Sequence, residues 1–292
     1  MSVDPTEMSR RELIRYTLGM MRRHGIRPKR RLGQNFVVDP RLIKDMIEHA
    51  SLSKEEVVLE VGAGIGTLTL ALAKRCKRVI AVEVDRHLEP ALREVANLTG
   101  NVEVIIADVM EIELPRVDKV ISNIPYSISS PFTEKLLREV DFKLAILTYQ
   151  LEFARRLYAS PGSKEYSRLT VLAYYYAEVQ PIRLVPPLAF LPRPKVFSEI
   201  VKILPRAEKP FALEDEKFFF DLVRELFSQR RKAMRNALRI ALRNLGMSER
   251  AAEKTIERMP DITSKRVEEL SPEELGEIAN YVYRLMNSSE GK

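Results

Sequence analysis

Seven short apolar runs, many of them rich in β-branched residues, recur along the chain at residues 57–61, 79–82, 102–107, 120–121, 144–149, 182–185 and 198–203. Most carry at most one polar residue and predict strands covered on both faces. Residues 67–74, 130–139, 151–158 and 169–177 carry the apolar period of helices. Tyr174, Tyr175 and Tyr176, in the last of these, are expected mostly in the core. Strands alternating with helices imply the α/β class, with a doubly wound sheet whose last two strands form an antiparallel hairpin. Residues 205–213, with Pro205 and Pro210 among mixed charges, mark a boundary. From Glu216 onward the pattern is helical over 218–245, 249–258 and 272–285, punctuated by Pro260, Ser271 and Pro272. A smaller all-helical domain therefore closes the chain.

The candidate chemistry gathers at the ends of the strands. Gly62-Ala63-Gly64-Ile65-Gly66 follows the first run directly and opens a helix, so the backbone there can approach a ligand closely. A dinucleotide loop has Gly or Ala where Thr67 stands, and G-x-G-x-G better suits a ligand without a pyrophosphate, such as S-adenosyl-L-methionine. Glu83 ends the second run, where an acid can accept hydrogen bonds from ribose hydroxyls. Asp108 ends the third, where an acid can accept from an adenine amino group, with Val84 or Val109 packing the ring. After the fourth run comes Asn123-Ile124-Pro125-Tyr126. The Asn123 side chain and the Ile124 carbonyl can accept both N–H bonds of an exocyclic amine, Pro125 fixes the backbone, and Tyr126 offers a ring face. Each feature alone equally fits an ordinary turn or a solvated cap. Their order at four successive strand ends points to a ligand, because open α/β sheets bind there.

Further motifs complete a pattern: 31–36 (Arg-Leu-Gly-Gln-Asn-Phe), 60–66 (Glu-Val-Gly-Ala-Gly-Ile-Gly), 123–126, 190–198 (Phe-Leu-Pro-Arg-Pro-Lys-Val-Phe-Ser) and 229–232 (Gln-Arg-Arg-Lys). In these the chain resembles the ribosomal RNA adenine N6,N6-dimethyltransferases, from about Arg30 to about Leu285. Arg193 departs from a run of three prolines often found there, leaving Phe190, Pro192 and Pro194. The resemblance implies a seven-stranded Rossmann-like methyltransferase domain over 31–207 and a helical RNA-binding domain over 208–292, and the charge of residues 1–30 marks a basic arm before them. It implies that Asn35 and the Val37 backbone hold the methionine part of S-adenosyl-L-methionine, with Gln34 close by. Gly62 and Gly64 would line that cofactor, Glu83 would bind its ribose and Asp108 its adenine amine, and Asn123 would lie between it and the target base. The catalytic set is then Asn123, Ile124, Pro125, Tyr126 and Phe190, with Tyr126 and Phe190 on the two faces of an unstacked adenine. The product would be dimethyladenosine, at two adjacent adenosines near the 3′ end of small-subunit ribosomal RNA, in ribosome biogenesis. An RNA adenine monomethyltransferase, a DNA adenine methyltransferase and a non-catalytic assembly factor are the alternatives.

Charge agrees with a nucleic-acid partner. The net charge is +7; residues 1–31 contribute +6 and residues 228–245 another +6, which leaves −5 for the remainder. Two basic segments on a mildly acidic body imply directed phosphate contacts. In the second, Arg231, Arg235, Arg239 and Arg243 recur every four residues beside Met234, Leu238, Leu242 and Leu245, an amphipathic pattern with a basic face. Arg230, Arg231, Lys232, Arg235 and Arg239 are the expected RNA contacts. The N-terminal segment reads as a flexible tail, although Leu13, Ile14, Leu18, Met20 and Met21 could make a short helix. Cys76 is the single cysteine, and His24, His49 and His87 lack metal-ligand spacing, so no metal site is expected. No apolar stretch reaches the roughly 20 residues of a membrane span. The expectation is a cytoplasmic monomer acting on immature small ribosomal subunits.

Overall fold

A computed structural model describes residues 3–259 and 265–287. Its first element begins at Ser9, whose hydroxyl accepts the Glu12 N–H while the Glu12 carboxylate accepts that of Ser9. The helix so capped, α1 (Arg10–Arg23), buries Leu13, Thr17 and Met20. The expected tail is therefore ordered helix, because those three positions fall on one face and Met20 packs into the cluster of Phe36, Ile65 and Leu88.

The chain divides into two compact units: Met1–Ala154 with Ala177–Pro205, and Arg155–Tyr176 with Arg206–Lys292. In the first, β1 (Phe36–Val37) precedes α2 (Pro40–Ala50), which starts on the Asp39 cap with Pro40 at its first turn. Then come β2 (Val57–Val61), α3 (Thr67–Ala73), β3 (Arg78–Glu83), α4 (Glu89–Thr99), β4 (Val102–Ile106), β5 (Lys119–Asn123), α5 (Ser129–Glu139) and β6 (Leu144–Gln150). The unit resumes with β7 (Ala177–Val185), β8 (Phe190–Leu191) and β9 (Ser198–Pro205). The main sheet has the order β4-β3-β2-β5-β6-β9-β7. Its first five strands are parallel, and β9 lies antiparallel to both β6 and β7. The seven-stranded Rossmann-like sheet and its antiparallel last pair are as the sequence predicts. β7 starts earlier than predicted: Ala177 pairs with Pro205, and a bulge between Pro181 and Arg183 admits a proline into the strand.

From β2 the chain winds outward through β3 and β4, then returns to β5 on the other side of β2 and continues to β6. The carboxyl ends of β2 and β5 thus flank a switch point where a crevice opens. A second ladder, which sequence does not reveal, pairs Phe36 with Leu191 and Val37 with Phe190.

α6 (Leu151–Leu157) carries the chain across the division. The helical unit contains α7 (Arg168–Tyr176), α8 (Glu216–Ser228), α9 (Met234–Asn244), α10 (Glu249–Glu257) and α11 (Pro272–Asn287). Residues 155–176 thus group with these helices, not with the sheet. Tyr166 is fully buried and donates its hydroxyl to the Leu270 carbonyl at 2.8 Å. Tyr175 is buried among Phe211, Phe219 and Phe220, whereas Tyr174 and Tyr176 are half-buried with hydroxyls on Glu273 and Glu216.

The single helix predicted over 218–245 is two helices. Residues 229–233 leave the helical path because their backbone pairs elsewhere: Val267 N donates to the Lys232 carbonyl at 3.2 Å and Met234 N to the Lys265 carbonyl at 2.9 Å. Pro260 lies outside the described residues. Among the described residues no helix is long and apolar enough to cross a membrane.

Candidate active site

Three glycines shape the loop after β2. Gly62, Gly64 and Gly66 have φ of +72°, +62° and +82°, a region that disfavours residues with a Cβ. Val82 O accepts the N–H of Gly62 at 2.8 Å and of Ala63 at 3.2 Å, which ties the loop to β3. At the end of β3, Glu83 accepts the Gly64 N–H at 2.9 Å on one oxygen and the Asp85 N–H at 2.9 Å on the other. Burial pushes the Glu83 carboxyl upward, and those two backbone N–H groups oppose the rise.

The segment before β1 closes one wall. Burial alone would raise Asp85, but hydrogen bonds from Lys29, Gln34 and His87 bring it down to about 2. Lys29 Nζ lies 2.7 Å from Asp85 Oδ1, Gln34 Nε2 donates to Asp85 Oδ2 at 2.9 Å, and Lys29 N donates to Gln34 Oε1 at 2.7 Å. Gln34 therefore holds its own loop in place.

Across the switch point, Asn123 ends β5. Its Nδ2 donates to the Asn35 carbonyl at 3.2 Å, which orients the amide. Its Oδ1 is buried and has no hydrogen-bond partner. An unpaired buried acceptor of this kind costs about 1–3 kcal/mol, a cost that an N–H donor entering the cleft would relieve. Tyr126 shares a 2.6 Å hydrogen bond with Ser198 Oγ, and burial raises its hydroxyl. Asp108 accepts the Met110 N–H at 2.9 Å through one oxygen, and its other oxygen takes no hydrogen bond among the described residues.

Gln34, Asn35, Gly62, Gly64, Glu83, Asp108, Asn123 and Pro125, among others, line one cleft of about 130 Å³, whereas Tyr126 stands outside that lining. A second, smaller pocket holds Val37, Asn35, Gly64 and Asn123 together with Glu60. Sequence reasoning passes over Glu60, yet it is the one charge in an otherwise apolar strand, just before the glycine loop. It is 2% exposed and one of its oxygens has no partner. Burial, with Glu83 nearby, pushes its carboxyl up to about 8.

Two expectations change. Phe190, expected against the target base, is 3% exposed and belongs to the sheet core, because its pairing with Val37 turns it inward. The exposed aromatic of that motif is Phe197, at 44%, next to the Ser198 that holds Tyr126. The basic face of α9 is also partly neutralised. Arg239 is ion-paired with Glu253, Arg243 with Glu249 at 3.6 Å, and Arg230 with Glu268 at 2.7 Å. Arg231, Lys232 and Arg235 are exposed and make no ion pair among the described residues, and the first two lie in the turn before α9.

The model of the ribosomal RNA adenine dimethylase family matches residues 25–282. The chain belongs to that family. It is accordingly a ribosomal RNA adenine dimethyltransferase, and α1 precedes the residues that the family model matches. It is 45% identical over 256 residues to the "Probable ribosomal RNA small subunit methyltransferase A" of Methanosarcina barkeri, covering 87% of this chain and 88% of that one. It is 42% identical over 263 residues to the protein of the same name from Pyrococcus abyssi, covering 90% and 95%. Among solved structures, a dimethyladenosine transferase from Plasmodium falciparum superposes with a TM-score of 0.72 at 28% identity, covering 82% of this chain and 94% of that one. The 23S rRNA methyltransferase ErmE does so with 0.62 at 28% identity, covering 85% and 100%.

Proposed function

We propose that this dimethyltransferase uses S-adenosyl-L-methionine to methylate N6 of two adjacent adenosines near the 3′ end of small-subunit ribosomal RNA, within an immature small ribosomal subunit. The observation that carries this reading is the buried, unpartnered Oδ1 of Asn123 at the switch point. An acceptor held there by the Asn35 carbonyl suits an exocyclic amine. The names of the relatives support the small-subunit target.

The residues present fit the cofactor. The glycine loop leaves room against the Phe36 ring, which a Cβ on Gly64 would approach to 3.3 Å. Asn35 and the Val37 backbone would hold the methionine part, with Glu60 facing its ammonium group. Glu83 would take the ribose hydroxyls and Asp108 the adenine amine. Bound there, S-adenosyl-L-methionine supplies a methyl group already activated on a sulfonium.

The chain's own part is placement. Asn123 Oδ1 accepts one N–H of the target amine and the Ile124 carbonyl the other, which favours a more tetrahedral nitrogen with its lone pair directed away from both acceptors. Tyr126, fixed by Ser198, supplies a ring face. Such alignment can contribute several kcal/mol, up to about 7–11 in well-oriented reactions. Arg231, Lys232 and Arg235 supply phosphate contacts on the helical unit.

The test is incubation of the protein with methyl-labelled cofactor and immature small ribosomal subunits, followed by digestion, mass analysis and mapping. Label recovered as N6,N6-dimethyladenosine at adjacent positions is the expected result. Monomethyladenosine alone, or label in large-subunit RNA, overturns it.

A further inference from the structure

We infer that α1 is an RNA-binding helix, whose outward stripe of Arg11, Arg15, Leu18 and Arg22 lies along the phosphate backbone of the RNA that feeds the active site. This rests on the reading of the site as an RNA-methylating centre. Steps of four, three and four residues put these side chains on one line of the helix, opposite the buried Leu13, Thr17 and Met20. The line is about 16 Å long. It is also rigidly presented: the helix is capped at Ser9, Arg10 donates to the Leu188 carbonyl at 2.7 Å, and Arg23 is paired with Glu94.

The side chains of Arg11, Arg15 and Arg22 are exposed and make no ion pair or hydrogen bond among the described residues. Glu12, the one acid on the helix, is occupied by the Ser9 cap. Like charges at i and i+4, as at Arg11 and Arg15, cost a few tenths of a kcal/mol, so helix stability does not account for this stripe. Leu18, 43% exposed in its middle, adds an apolar contact suited to ribose. A lipid surface fits poorly, since it would need an apolar helix face and that face is buried in the core. Beyond α1 the exposed Arg27, Arg30 and Arg31 continue the charge to Leu32, Gly33, Gln34 and Asn35, which line the cleft. The cationic track thus runs into the active site.

The experiment compares the parent with the triple variant Arg11→Gln, Arg15→Gln, Arg22→Gln and with the corresponding triple Lys variant. All three positions are exposed, so melting temperatures should match. Binding to a small-subunit rRNA fragment is measured against salt concentration. The Gln variant should flatten the slope of log K against log salt by about 2–3, at roughly 0.7–0.9 per lost phosphate contact, and weaken binding by about 10²- to 10³-fold at 0.1 M relative to 1 M salt. The Lys variant should keep most of the slope, and kcat at saturating RNA and cofactor affinity should stay at parent values. An unchanged slope in the Gln variant overturns the inference, as does a loss of binding confined to vesicles containing phosphatidylserine. If the parent methylates no RNA but the slope still falls, the reading of the active site fails while that of α1 stands.

Discussion

Gly62 lies so close to Pro125 that a Cβ on the glycine would stand 2.7 Å from Cδ and Cγ of the ring. This contact sets the distance between the glycine loop and the proposed amine clamp across the switch point. Gly62→Ala adds a steric clash to a backbone already at φ +72°, where an L-residue costs about 1–2 kcal/mol. The melting temperature should fall by roughly 2–8 °C. Turnover at a temperature where the variant is fully folded should fall further than that loss explains, because Asn123 shifts with Pro125. Parent-like turnover in the folded variant removes this role for the contact.

Asn123→Ala takes away the buried acceptor and leaves the Asn35 carbonyl without its donor. Methyl transfer should drop by about 10²- to 10³-fold, the usual cost of losing one positioned hydrogen-bonding group at a reacting centre. Cofactor affinity should change only a few-fold, as read by calorimetric titration. A variant that keeps most of its turnover would refute the clamp.

Glu60 carries a pH signature. Its folded value of about 8 lies above the ordinary 4.5, so over that interval the folded protein holds a proton that the unfolded chain releases. Its contribution to stability is complete below about pH 4.5 and is lost as pH rises through 8, by at most about 1.4 kcal/mol per pH unit. The stability of the ligand-free parent should therefore fall from pH 5 to 8.5 relative to Glu60→Gln, as followed by chemical denaturation. Parallel profiles would show that Glu60 is ionised throughout. A cationic ligand group beside Glu60 should also expel its proton, so cofactor binding at pH 7 should release up to one proton, visible when titrations are repeated in buffers of different ionisation enthalpy.

The paired and unpaired arginines of the helical unit should behave differently. Neutralising Arg231, Lys232 and Arg235 together should reduce the salt dependence of RNA binding by about 2–3 in slope. Neutralising Arg239, already ion-paired with Glu253, should change it by much less. Equal effects would mean that the ion pair opens on RNA.

What sequence disclosed depends on how local the determinants are. β2, β3 and β6 are runs of apolar residues bounded by turn-formers, and the acids and Asn123 at the strand ends are placed by parallel winding alone, so the cleft could be read from order and spacing. β1 and β8 are two residues each and exist only because Phe36 and Val37 meet Leu191 and Phe190, more than a hundred positions away. That pairing buries Phe190 and leaves Phe197 as the outward aromatic. The break between α8 and α9 has the same origin, since the pairing partner of residues 230–234 is the stretch 265–268, and intrinsic helix propensity yields to it. Glu60 was legible as a lone acid in a buried strand, but its unpaired oxygen required coordinates.

β9 runs opposite to the strand beside it. In a wholly parallel sheet only the loops that follow strands emerge at the carboxyl edge. Reversal of this one strand delivers there the residues that precede it, 192–197, and joins them to the segment after β5 through the bond between Tyr126 and Ser198. The carboxyl edge of the sheet thereby gains an extra loop at no increase in sheet width. Insertions or deletions between Leu191 and Ser198 would change what stands beside Tyr126 while every strand keeps its register.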